Sequence, residues 1–213
     1  MKKKYLVFLM LAAVLIVPGC KKKETEVDYT SSQNHRIEVE EEGNVISTLI
    51  DVFDKDYYNQ EELKTLVEGE IAAYNRKQEG ALELGQLQVE NQKVTLTMNY
   101  SRTSHYSAFN DTVLFRGTIS EAIAAGYDFN TTFIEIDNGN VKTDNITANT
   151  LKALGDEYQV LITNEVIEIT VPSAISYISN NMNIEHKRTA SVKAEVEANT
   201  IDDTKVFSYV IYK

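Results

Sequence analysis

From Val94 to Tyr100 every second residue is apolar, with Val94, Leu96, Met98 and Tyr100 alternating with Thr95, Thr97 and Asn99. A two-residue period places the two sets on opposite faces of an extended chain, so this segment is a strand with one buried and one wet face. The same period governs much of the remaining sequence. Leu82 and Leu84, then Leu87 and Val89, keep it in shifted phase around Gly85, which a bulge at the glycine would explain. Residues Glu90 to Lys93 then turn the two strands into an antiparallel hairpin. Upstream, Ile37 and Val39 alternate with Glu38 and Glu40, Gly43 and Asn44 form a turn, and Val45 to Phe53 is a second apolar run. That is a second hairpin, or, because the period of the run is mixed, a helical turn leading onward. The last sixty residues carry strand patterns at Val160 to Ile162, Ile167 to Val171, Ile175 to Ile178, Val192 to Ala198 and Phe207 to Tyr212. Alternation of the kind seen at Val192, Ala194 and Val196 predicts sheets solvated on one side.

A helical period takes over after Asn59. Asn59 with Glu62 three residues later has the form of a helix start, the asparagine side chain accepting an orphan backbone N–H. Leu63, Leu66, Val67, Ile71 and Tyr74 follow at helical spacing as one predicted buried stripe, and the stop falls near Gln78 to Gly80. The middle of the chain holds shorter elements: a helical turn at Ser104 to Asn110, a strand at Thr112 to Phe115, and a helix opening at Thr118, where Thr118 and Glu121 match a capping box and Gly126 supplies the stop. Phe133, Ile134 and Ile136 read as a strand, with Asp137 to Asn140 as its turn. The expected class is α+β: mainly antiparallel sheet, one long helix at about 59–79, short helices, and a β-rich C-terminal part. Residues 37–154 and 155–213 are one domain or two.

The first twenty residues follow a different logic. A basic start, Lys2 to Lys4, is followed by an unbroken apolar run from Tyr5 to Val17 and then by Pro18, Gly19 and Cys20. This is the layout of a secretory signal peptide, and the run falls short of the roughly 20 apolar residues of a permanent membrane span. Val17, Pro18, Gly19 and Cys20 resemble the lipobox of bacterial lipoproteins, with Pro18 an uncommon occupant of its second position. The resemblance covers this segment alone. It implies cleavage after residue 19 and a diacylglyceryl group on the sulfur of Cys20, hence attachment to the extracytoplasmic face of a cell membrane. Two acyl chains hold firmly where one holds marginally, since each buried methylene contributes about 0.8 kcal/mol. Lys21 to Lys23 would lie at the headgroups, and residues 20–36 read as a polar tether. Lysine outnumbers arginine and asparagine is abundant, and in this the exported body is similar to lipoproteins of low-GC Gram-positive bacteria, a likeness that implies no activity.

Charge and cysteine content then exclude several chemistries. Removal of Lys2, Lys3 and Lys4 lowers the basic count from 21 to 18 against 32 acidic residues, a net charge near −14 for the processed chain. Nucleic acid is thereby excluded as an expected partner, because phosphate binding needs clustered lysine and arginine. With Cys20 the single cysteine, an acylated chain has no thiol left for a disulfide, a nucleophile or a sulfur-ligated metal. No cofactor and no metal site are expected. No glycine pair brackets a serine as in a nucleophile elbow, no serine has a lysine three residues on, and His35, His105 and His186 lie far apart outside any HExxH helix. Asp54 and Asp56 offer hard oxygen ligands but fail the EF-hand pattern at Tyr58 and Asn59, and the turn Asp137 to Asn140 fails in the same way. Arg116 and Gly117, before the Thr118 helix, are an anion site or simply part of its cap.

What remains as candidate ligand contacts is one histidine and a set of tyrosines. His105, between Ser104 and Tyr106, is a functional histidine or an ordinary loop residue. Tyr57, Tyr58, Tyr100, Tyr106 and Tyr127 lie in or near loops and suit sugars or peptides, or else pack at sheet edges. The expectation is a tethered, non-catalytic body that contacts a protein, peptide or envelope component. Two alternatives belong to other classes. An envelope enzyme would need a deep cleft joining His105 to a carboxylate, and a solute-binding component of a transporter would need two lobes around a pocket.

Overall fold

The structure, a computed structural model, describes residues 34–193 and 206–213. The signal segment 1–19, Cys20, most of the tether and the stretch Ala194 to Ala198 expected as strand lie outside the described residues. The alternating segments assemble into two open sheets. Sheet I has seven strands: β1 (His35–Val39), β2 (Val45–Val52), β3 (Leu82–Glu90), β4 (Lys93–Tyr100), β9 (Glu168–Thr170), β11 (Met182–His186) and β12 (Thr189–Val192), in the order β11-β12-β9-β1-β2-β4-β3. Sheet II has six: β5 (Leu114–Thr118), β6 (Phe133–Asp137), β7 (Asn140–Ile146), β8 (Gln159–Thr163), β10 (Ile175–Ser179) and β13 (Ser208–Tyr212), in the order β5-β8-β13-β10-β6-β7. The described strand pairs are antiparallel except β1 with β9, where Ile37 lies beside Ile169 in a parallel register.

Local signals act where the sequence places them. The register of β3 on β4 shifts between Leu84 and Gln86, so Gly85 is the bulge, and a side chain there would press to 3.2 Å from the Thr97 methyl. Asn91 and Gln92 both adopt left-handed backbone, at φ 51° and 59°, as a two-residue hairpin of matching twist requires. Asn138 and Gly139 do the same, at φ 49° and 82°, between β6 and β7.

The core has two compartments. Ile37, Val39, Val45, Met98 and Ile169 of sheet I join Leu114, Leu161, Ile178 and Val210 of sheet II in one apolar cluster between the sheets. On the far face of sheet II, Val160, Ile162, Tyr209 and Ile211 pack with Phe129, Phe133 and the short helices α3 (Ile119–Ala124) and α4 (Ala148–Lys152), which contribute Ile119, Ala122 and Leu151. Sheet II is therefore covered on both faces, and β13 is buried at all of its residues. In β8 and β13 this departs from the expectation of one wet face: Val160, Leu161 and Ile162 are consecutive rather than alternating because both sides face apolar neighbours, whereas β11 keeps Met182 buried and Asn183 exposed.

Helix α1 (Gln60–Asn75) is capped by Asn59, whose side chain accepts from the N–H groups of Glu61 and Glu62, and it packs on β3. It ends at Asn75, short of the expected 79. Gly80 has its left-handed backbone, φ 66°, in the turn beyond. Leu63, Val67 and Ile71 face the core, but Leu66 is 42% exposed, a correction to the expected stripe. Helix α2 (Thr103–Asn110) closes the end of the sandwich beside β4 and β5. The strand expected at Thr112 to Phe115 begins two residues later, and the hairpin β11–β12, which places Val192 at a strand end, was not foreseen. Strands from beyond residue 155 stand in both sheets, interleaved with earlier ones. Among the described residues no helix is long and apolar enough to cross a membrane.

Candidate functional site

Helix α2 carries two of the candidate residues side by side and turns them to different surroundings. Three-residue spacing puts Tyr106 and Phe109 on its inner side, both buried, while His105 lies half-buried at the margin. The helix closes at Asp111, in left-handed backbone at φ 55°. Tyr100, on the inner face of β4, meets Tyr106 edge to face at 5.1 Å and Phe109 at 6.1 Å. Tyr74, from α1, meets Phe109 at 5.6 Å and His105 at 5.9 Å. Four tyrosine and phenylalanine rings thus bind α1, α2 and β4 together, each edge-on contact stabilising by about 0.5–1.5 kcal/mol beyond burial.

The polar tips of these rings are paired rather than presented. The Tyr106 hydroxyl donates to Glu165 Oε2 at 3.0 Å and lies 3.3 Å from His35 Nε2, which is 3.2 Å from Ser47 Oγ. With its proton directed to Glu165, the Tyr106 oxygen accepts from His35, which places the imidazole proton on Nε2. Tyr100 receives Asn110 Nδ2 at 3.3 Å and donates towards Met98 Sδ at 3.7 Å, and Tyr74 pairs with His105 Nδ1 at 3.2 Å. Among the described residues no buried side-chain nitrogen or oxygen lacks a partner.

Burial sets the protonation states. It lowers His35 to about 4, and it lowers His105 too, with the Arg102 charge as the second cause. Burial raises Tyr74 and Tyr100, and raises Tyr106 well above the phenol range with the Glu165 charge adding to it. Both histidines are therefore neutral at pH 7 and the tyrosines are un-ionised. Ser47 and His35 have the spacing of a hydroxyl and its base, but Ser47 is buried on the inner face of β2 and the same imidazole nitrogen is shared with Tyr106. The arrangement holds protons in place and gives a substrate no room at the serine.

The six expected contacts fall in three places. Tyr100 and Tyr106 meet in the core, and His105 lies at its margin against Tyr74. Tyr57 is 46% exposed, edge-on to Tyr58 at 5.1 Å, which tilts on Phe53 at 4.8 Å, in the loop that enters α1. Tyr127 is tilted against Phe115 at 5.1 Å and edge-on to Phe207 at 5.3 Å, and helps line an open depression of about 560 Å³ between α2 and β5. Arg116 is committed to structure: Nε donates to the Tyr212 hydroxyl and Nη2 to the Glu41 carbonyl, clamping the β1–β2 turn to sheet II. Gly117 leaves space for the Glu121 carboxylate, which accepts from the Thr118 N–H in the capping box.

Sequence reasoning missed His35, Ser47, Tyr74, Asn110 and Glu165. The expected tether, residues 20–36, takes in His35, yet His35 shares parity with Ile37 and Val39, and that alternation extended by one step puts it on the inner face of β1. Nothing local marks Glu165 as the partner of a tyrosine 59 residues away. Among the described residues no three of His, Cys, Asp and Glu gather as a metal-binding set. The chain matches no family model, no curated protein and no solved structure.

Proposed function

We propose that this chain is a lipoprotein anchored through Cys20 to the extracytoplasmic face of a cell membrane, its acidic body a non-catalytic module that contacts a protein, peptide or envelope component. The observation that carries the reading is the single cysteine placed directly after Lys2 to Lys4, the apolar run Tyr5 to Val17 and the triplet Val17, Pro18, Gly19. The interior of the body supports the non-catalytic half. Its histidines and tyrosines are paired with one another, and the depression beside α2 is shallow and lacks a histidine or carboxylate lining. In this reading the chain between Cys20 and the start of β1 at His35 holds the body off the bilayer. Replacement of Cys20 with serine is expected to abolish metabolic labelling by radioactive palmitate in the expressing bacterium. Persistent labelling of Cys20→Ser would refute the anchor.

A further inference from the structure

We infer that the outer face of α1 around Leu66 and Gly69 is the docking surface for a basic, amphipathic segment of a partner protein. The inference rests on the reading of the body as an interaction module and supplies its surface and the chemistry of its partner.

Leu63, Val67 and Ile71 carry the buried side of α1, yet Leu66 is 42% exposed beside them. Glu62, Leu66 and Gly69, spaced by four and three residues, share one face of the helix. With Glu61, Thr65 and Glu70 they line an open depression of about 550 Å³. Gly69 stands inside the helix, where glycine costs stability, and a side chain built there meets nothing within 4 Å. No packing inside the described body calls for that glycine. Its effect is to lower the helix surface by one methyl beside an exposed leucine, so that a partner's main chain can come close.

Charge selects the partner. Each charged side chain lining the depression is a carboxylate, Glu61, Glu62 and Glu70, whereas Lys64 leans to Glu68 at 3.9 Å. Exposed Asp54 and Asp56 precede the helix. Lysine or arginine on a partner complements this rim, and an apolar stripe between them covers Leu66. A second copy of the chain would bring the same carboxylates face to face, and an anionic membrane surface would be repelled in the same way.

The test uses the full acylated chain in non-ionic detergent and a fluorescent synthetic helix of leucine and lysine at heptad spacing, followed by anisotropy above that of empty micelles. Because a processed chain of net charge near −14 attracts any cation, a charge-matched control is essential. Saturable binding is expected, weakened about tenfold or more by Leu66→Glu and by Gly69→Leu, the losses typical of a central contact. Glu61→Gln with Glu62→Gln should weaken it clearly, while Glu40→Gln with Glu41→Gln, the same charge change at the β1–β2 turn, should leave it nearly unchanged. Gly69→Ala should raise the melting temperature and still weaken binding, a combination that damage to the fold does not produce. Equal losses in the two double variants would reduce the attraction to bulk charge and overturn the proposal, as would absence of saturable binding. A self-association abolished by Leu66→Glu would overturn it in favour of a second copy. Palmitate labelling of Cys20 should be unaffected by each of these variants, so failure of docking and failure of the anchor are read separately.

Discussion

His35 is the residue whose surroundings most change its chemistry. Burial holds its imidazole at about 4, below the 6.5 of an unfolded chain. Between those values the unfolded state binds more protons than the folded one, so stability rises with pH through this window. The contribution is fully present above pH 6.5 and is lost as pH falls towards 4, with an upper bound of about 3 kcal/mol. Urea unfolding measured from pH 4 to pH 7 should therefore show a rising midpoint, and His35→Gln should flatten that rise; an unchanged slope would place the titrating group elsewhere. Around His35 the sequence was legible in part. Tyr100, His105 and Tyr106 were recognisable as a polar, aromatic stretch; Tyr100 and Tyr106 meet, while His105 pairs with Tyr74. Their partners were not recognisable, because Tyr74, Glu165 and His35 reach them across 31, 59 and 71 residues of chain through contacts that leave no local pattern.

Elements whose cause is local are the ones that sequence reasoning finds. The Thr118 capping box closes reciprocally, Glu121 N–H to the threonine hydroxyl at 3.1 Å and Thr118 N–H to the glutamate carboxylate at 2.8 Å. Thr118→Ala should cost about 1 kcal/mol, visible as a lower thermal midpoint, and a neutral result would mean that α3 is held by its packing on sheet II alone. The bulge at Gly85 and the hairpin turns at Asn91 and Asn138 are likewise decided within a few residues. The parallel pairing of β1 with β9 is not: Arg36 aligns with Glu168, and only the assembled sandwich selects that neighbour. Leu66 fails for a related reason. It sits at the margin of the apolar stripe of α1, and which margin is covered depends on where β3 passes beneath the helix.

At the scale of the whole molecule, sheet II is the shared wall of both core compartments. Leu161 faces the compartment between the sheets while its neighbours Val160 and Ile162 face the helices, and all three are fully buried. Leu161→Ala should destabilise by about 2–5 kcal/mol, whereas Ile123→Ala, at a side chain 40% exposed, should stay within about 0.5 kcal/mol; denaturant titrations that ranked the two equally would contradict the layered core. Both compartments also depend on β13, which follows the other strands of sheet II in the chain yet stands between β8 and β10 at its centre. A ribosome delivers β5, β6, β7, β8 and β10 before it, and until β13 arrives the middle of the wall is missing. Neither compartment can therefore close over sheet II before the last strand of the described chain has been made.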